Sequence, residues 1–186
     1  MTPIGKPFHA LLLLVGLMLL AHDSAARTGD LTRDPADLVK QYLSLDTKGV
    51  RLESMSFESL RPYTTWKEEP LWGHVVVIEE YRVIDDIKEW EIVNRLEVVI
   101  PVEFRTLGLV YWNTAGFLPD KQTERIGFRV KAINSRWKLI EPVLPPHVSQ
   151  KRFINYVREA LLEETDANRR HALESLVKDL KKAKQE

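Results

Sequence analysis

Glu79 and Tyr81 are the side chains best suited to acid–base work. They stand two residues apart in the run His74–Asp85, HVVVIEEYRVID. In an extended chain Val75, Val77, Glu79, Tyr81 and Val83 share one face. A carboxyl among apolar neighbours has a raised pKa and can act as general acid or base. A phenol beside it can donate to a developing oxyanion. The opposite face carries Val76, Ile78 and Ile84, so the pattern leaves the inward face open, and a solvated Glu79 is the competing reading. Asn94 adds a polar group on the same face as Leu96. Tyr111, Trp112 and Phe117 form a second group, in a Gly-flanked segment between strands. That position suits the mouth of a pocket for an apolar or ring-shaped ligand. Plain core packing is the alternative there, and it is preferred for Phe104, Phe128 and Trp137.

Other chemistries lack their residues. The chain has no cysteine, which excludes disulfides, thiolate metal sites and cysteine nucleophiles. His74, His147 and His171 are far apart and form no metal-binding spacing, so no metal is expected. His147 follows two prolines and reads as a turn residue. The glycines build no phosphate-cradling loop and there is no nucleophile elbow, so no cofactor is expected either. The 186 residues carry 27 basic and 27 acidic side chains. That even balance argues against a nucleic-acid partner, which needs a basic excess.

The elements that must position these groups follow from periodicity. Asp34-Pro35 opens a helix, with a capping carboxylate and a first-turn proline. Leu38, Val39, Tyr42, Leu43 and Leu45 give it an apolar face, and Gly49 stops it. Met55, Phe57 and Leu60 suggest a short helix or turn before Pro62. Leu96, Val98, Ile100, Val102 and Phe104 alternate with polar residues and predict a half-buried strand, its even face inward. Pro101 marks an edge or a bulge in it. Ile126, Phe128, Val130 and Ala132 repeat the pattern. Asn134-Ser135 reads as a tight turn, and Trp137 and Leu139 as a returning strand. Pro142, Pro145 and Pro146 end the sheet. Ser149 then caps a helix with Phe153, Ile154, Val157, Leu161 and Leu162 on one face. After a break at 165–168, Leu173, Leu176, Val177 and Leu180 make another. Acidic residues dominate 51–103 and basic ones 124–141, which predicts cross-strand pairing on a solvated sheet face.

The first residues read as an export signal. Lys6 and His9 precede the apolar run Ala10–Ala21, too short to span a bilayer comfortably. Ser24 and Ala26 suit a cut between Ala26 and Arg27. The expected divisions are a signal peptide over 1–26, a flexible leader over 27–33, an α+β domain over 34–147 and a helical tail over 148–186. The mature chain of about 160 residues would be periplasmic or extracellular, touching membrane only through the signal segment.

Two stretches carry a resemblance. The opening helix from Asp34 through Gly49 resembles the first helix of the nuclear-transport-factor-2-like superfamily. Phe128 to Pro142, with its polar turn before Trp137-Lys138, is similar to that superfamily's last two strands. The resemblance covers about residues 34–146. It implies a cone-shaped domain: an N-terminal helix packed on a curved antiparallel sheet, with a hydrophobic pocket between them. The family includes isomerases, dehydratases, transport adaptors and exported bacterial proteins, and the tail after Ser149 departs from its minimal pattern.

The sequence therefore predicts an exported cell-envelope binding or assembly module with an aromatic-lined hydrophobic pocket, non-catalytic rather than enzymatic. Tyr81, Asn94, Tyr111, Trp112 and Phe117 are its candidate ligand-binding residues. The partners expected are a small apolar ligand and a second copy or envelope protein. The alternative is an isomerase or dehydratase using Glu79 and Tyr81. A homodimer through an apolar patch at Val99, Pro101 and Ile133 is a further reading.

Overall fold

The computed structural model describes residues 33–53 and 56–184. The expected signal peptide, the leader as far as residue 32, and Met55 lie outside these residues. Helix α1 (Pro35–Thr47) begins as its sequence dictates: Asp34 Oδ1 accepts from the Ala36 N–H at 2.9 Å, with Pro35 in the first turn. Gly49 ends it in the left-handed region, at φ 74°. A Cβ there would stand 2.9 Å from the movable end of Leu52, so it is the left-handed backbone that calls for glycine. Short 3-10 turns follow at Val50–Leu52 and Ser56–Ser59.

Six strands form one curled sheet: β1 (Val75–Val83), β2 (Glu91–Asn94), β3 (Glu97–Tyr111), β4 (Gly116–Ile133), β5 (Arg136–Glu141) and β6 (His147–Ser149). Their order is β5-β4-β3-β1-β6, and β2 pairs with β3. All pairings are antiparallel except β1 with β6. Helices α2 (Gln150–Glu163) and α3 (Ala167–Lys182) complete an α+β architecture with a half-barrel sheet. Asp166 caps α3, accepting from the Arg169 N–H at 2.7 Å.

Two hydrophobic cores share this sheet. On one face α1 contributes Val39, Tyr42 and Leu43, which pack on Val98, Ile100, Val102, Phe104, Phe128, Val130 and Leu139. The even-numbered stripe of β3 is therefore inward, as its alternation predicts, except that Leu96 sits in a turn and is exposed. The second core joins Phe153, Ile154 and Val157 of α2 and Leu173, Leu176 and Leu180 of α3 to Val77, Leu107 and Val110. The helical tail thus packs on its own sheet. Leu162, expected on the apolar face of α2, is 85 % exposed instead.

Bulges let one sheet serve both cores. The β1–β3 register slips around Ile78 and again before Glu80. Val76 and Ile78 face the α1 core, and beyond the slip Tyr81 and Val83 do so. In β3 the register against β4 shifts between Thr106 and Gly108. Gly108 has φ 153°, and a Cβ on it would stand 2.3 Å from the Leu118 carbonyl oxygen. An extra residue in a strand reverses the parity of its side chains, and here it moves burial from one face to the other.

Three expectations need correction. The prolines do not end the sheet, because the chain returns at His147–Ser149 and pairs parallel to β1. Strands β3 and β4 run on through the segment read as a link between strands, reaching 15 and 18 residues. The arm Leu118–Arg125 is exposed throughout, so no inward stripe betrays it as strand. Ser149 occupies the N-cap of α2 without a side-chain capping bond.

Candidate functional site

Arg51 lies wholly inside the protein, a charge just past the end of α1. Its Nε and Nη2 donate to Asp46 Oδ1 and Oδ2 at 2.8 and 3.1 Å, a two-pronged pair. Nη1 donates to Glu69 Oε1 at 3.0 Å and to the Leu144 carbonyl at 2.9 Å. Asp46 Oδ2 also accepts from the His147 backbone N–H at 3.2 Å. One guanidinium thus ties α1, the segment before β1, the β5–β6 connection and the start of β6. Burial opposes the charge on Arg51, but Asp46, Tyr42 and Glu69 outweigh it and raise the pKa. Burial, then Asp46, raises the Tyr42 phenol.

Above this cluster opens a cleft of about 590 Å³. Trp72 and His74 line it from the segment entering β1, Trp112 from the β3–β4 turn, and Phe153 and Tyr156 from α2. Arg51 and Glu69 also line it. The aromatic rings hold one another: Trp112 to Tyr156 at 4.9 Å between centroids, Trp112 edge-on to Phe153 at 6.4 Å, Phe153 to Tyr156 at 5.9 Å. Helix α2 is moored beside it, since Tyr156 Oη donates to the Leu52 carbonyl at 3.3 Å and Arg152 Nε to the Lys48 carbonyl at 3.2 Å. The backs of these groups are equally fixed. Arg169 donates to the carbonyls of Asn113 and Trp112 at 2.8 and 2.6 Å, its guanidinium 5.2 Å from the Trp112 ring centre. At the lip, Leu71 is fully exposed.

Glu69 is one of the charged groups that line this cleft, with Arg51, Glu53 and Glu58. Burial, the largest influence, and the nearby Asp46 raise its pKa, against the lowering effect of Arg51 and Trp72. The buried Trp72 indole nitrogen makes no hydrogen bond of good geometry, although it stands close enough to Glu69 to favour the carboxylate.

The residues singled out from sequence disperse. Glu79 and Tyr81 do not share a face, because the β1 register slip between Ile78 and Glu80 falls on Glu79 itself. Glu79 Oε2 pairs with Arg105 Nη2 at 2.9 Å, and Arg105 Nε also meets Glu80 at 3.2 Å. Tyr81 turns to the opposite side and packs on Phe104, ring centres 6.4 Å apart, where burial raises its pKa. Asn94 is exposed at the end of β2, its Oδ1 accepting from the Leu96 N–H of the turn at 2.8 Å. That is the self-contained turn chemistry of asparagine. Of the second group, Trp112 lines the cleft. Tyr111 stands outside its rim, its ring 5.9 Å from His74. Phe117 packs in the core of the tail helices, beside Gly108. No family model, curated protein or solved structure matches this chain.

His147 is another residue the sequence reading undervalued. It is buried, its ring 4.7 Å from that of Phe104, with Nδ1 2.8 Å from the Pro145 carbonyl oxygen. A carbonyl only accepts, so Nδ1 carries the proton and Nε2 of the neutral ring is an acceptor. Burial, aided by Arg51, depresses its pKa against Asp46, the Pro145 carbonyl and Glu124. A smaller cavity of about 210 Å³ includes His147, Thr106, Asp120 and Glu124 in its lining.

The ion pairs expected between the acidic and basic stretches form: Arg125–Glu89, Arg129–Glu97 and Lys131–Glu97, at 2.6 to 3.1 Å; Arg82–Glu103, at 2.6 Å, joins two residues of the acidic stretch. The patch suggested for a dimer is broken, with Pro101 buried, Val99 half-buried and Ile133 37 % exposed. Among the described residues no helix is long and apolar enough to cross a membrane. Nor do three His, Asp or Glu side chains there gather into a metal-binding group.

Proposed function

We propose that this protein is an exported binding module of the cell envelope that holds a small, largely apolar ligand in the aromatic cleft. The observation that carries this reading is the cleft itself. Its volume of about 590 Å³ falls in the range of small-molecule sites, and aromatic walls with few polar groups are their usual lining. The supports are rigid: the rings of Trp112, Phe153 and Tyr156 pack against one another, edge-on or tilted, and Arg51 is buried among them. Such a site needs little ordering on binding, which favours affinity.

Export rests on the amino-terminal signal pattern, with the mature chain periplasmic or extracellular. The curled sheet covered by an N-terminal helix is compatible with the nuclear-transport-factor-2-like superfamily, and membership of that family is part of this proposal. Non-catalytic binding is favoured over isomerase or dehydratase chemistry because Glu79 is tied to Arg105 on one face while Tyr81 packs on the other. Trp72 and Trp112 are natural reporters of occupancy. Envelope extract added to the purified protein should shift their indole N–H resonances and leave that of Trp90, bonded to the Ile84 carbonyl, in place. Unchanged resonances for Trp72 and Trp112 would contradict the reading.

A further inference from the structure

The cleft has a charge as well as a shape. Asp46 and Glu69 are two carboxylates, and Arg51 is the one guanidinium between them. Asp46 and Arg51 are sealed from solvent, while the Glu69 side chain keeps 21 % exposure. Among the described residues no second cation is paired with either carboxylate. When both are ionised, the cluster keeps one negative charge, and Glu69 lies where that charge meets the cleft. The rim adds Glu53 and Glu58, each facing an arginine outside the lining: Arg152 Nη2 at 3.7 Å from Glu53 and Arg61 Nη1 at 3.1 Å from Glu58. Arg152 also serves Glu159 at 3.1 Å, so the charge of the cleft is read from its floor alone.

Aromatic rings add to that preference. The face of an indole or phenol ring is electronegative and attracts a cation lying over it. The Trp112 ring is already engaged by the Arg169 guanidinium, 5.2 Å from its centre, so the ring faces offered to a ligand cation are those of Trp72 and Tyr156. An anion placed in the cleft would meet Glu69 and the ring faces together, a doubly unfavourable contact in a partly dry site.

We infer that the ligand of the cleft is a small organic cation, an ammonium or quaternary ammonium group on an apolar body, with the charged nitrogen beside Glu69 and the body against Trp72, Trp112 and Tyr156. This inference rests on the reading of the cleft as a binding site and adds the ligand's charge class to it. The cation supplies the positive charge that the Asp46–Arg51–Glu69 cluster lacks. The walls take up the apolar part, which the carboxylates would not bind.

Three ring compounds of similar size separate the possibilities: phenyltrimethylammonium, benzyl alcohol and benzoate. Each is titrated into the full chain as its host accumulates it, with the Trp72 and Trp112 indole resonances as the readout. The cation is expected to bind about ten-fold more tightly than the neutral alcohol. Benzoate should be the weakest of the three. Glu69→Gln keeps an oxygen to accept from Arg51, and should remove most of the cation's advantage while leaving the alcohol unchanged. Should that variant fail to fold, the order of the three compounds on the unaltered protein decides alone. Equal binding of cation and alcohol, or tightest binding of benzoate, would overturn the charge class and leave the cleft as a binding site. If none of the three moves the two indoles, the binding-site reading falls as well.

Discussion

Arg51 grips Asp46 through two hydrogen bonds, Nε to Oδ1 and Nη2 to Oδ2, with both side chains sealed from water. The pair closes the end of α1 and carries the floor of the aromatic cleft. Removing one partner would leave the other charge buried alone, which costs about 3–5 kcal/mol. Arg51→Met should lower the unfolding free energy by that order in urea titration. Replacing both residues with apolar ones should cost much less than the sum of the single changes. Additive losses would show that the two side chains do not act as a unit.

Gly108 lets β3 change face. Gly108→Ala would place a Cβ against the Leu118 carbonyl oxygen and the Phe117 ring, at a φ that L-residues avoid. A loss of about 2 kcal/mol or more is expected in urea unfolding, with Phe117 displaced. A neutral substitution would mean that the bulge is not fixed by this glycine.

The tail helices are structural. Leu176→Ala should cost about 2–5 kcal/mol, because it empties a buried position between α3 and the sheet. Leu162→Ala, at an exposed site on α2, should be close to neutral. Both variants should unfold in a single step. Separate transitions for tail and sheet would contradict the shared core.

His147 gives stability a pH dependence. Its folded pKa lies below the ordinary value of 6.5, so the unfolded chain takes up a proton before the folded one does. Its contribution is fully present above that ordinary value and is lost as pH falls below it towards the depressed folded value. The slope from this one group cannot exceed about 1.4 kcal/mol per pH unit. Glu69 works the other way, since its raised pKa makes the folded state the better proton binder. The informative quantity is therefore the difference between the unaltered protein and His147→Gln. That difference should shrink as the pH is lowered, and a constant difference would show that His147 does not titrate between the two states.

Local signals made much of this fold legible. Asp34-Pro35 and Gly49 bounded α1, and the even stripe from Val98 to Phe104 faced the core. Asn134 and Ser135 both adopt positive φ, as their hairpin turn requires. Period-two reasoning failed at the β1 bulge, because one extra residue reverses every later side chain and separates Glu79 from Tyr81. Strand β6 was hidden behind prolines and is only three residues long. The cleft was legible in part, through Trp112. Its charged floor was not, since Arg51 finds partners 5, 18 and 93 residues away. The one local clue was an arginine set between Val50 and Leu52 just after a helix-stopping glycine.

Native mass spectrometry of the protein purified from its own host shows whether the cleft is occupied. An occupied cleft gives a mass above that of the mature chain, from a small molecule released on denaturation. Trp112→Ala combined with Tyr156→Ala should remove that excess while the protein stays folded. An unaltered protein that carries no small molecule, or a double variant that retains it, would mean that the cleft is not the binding site.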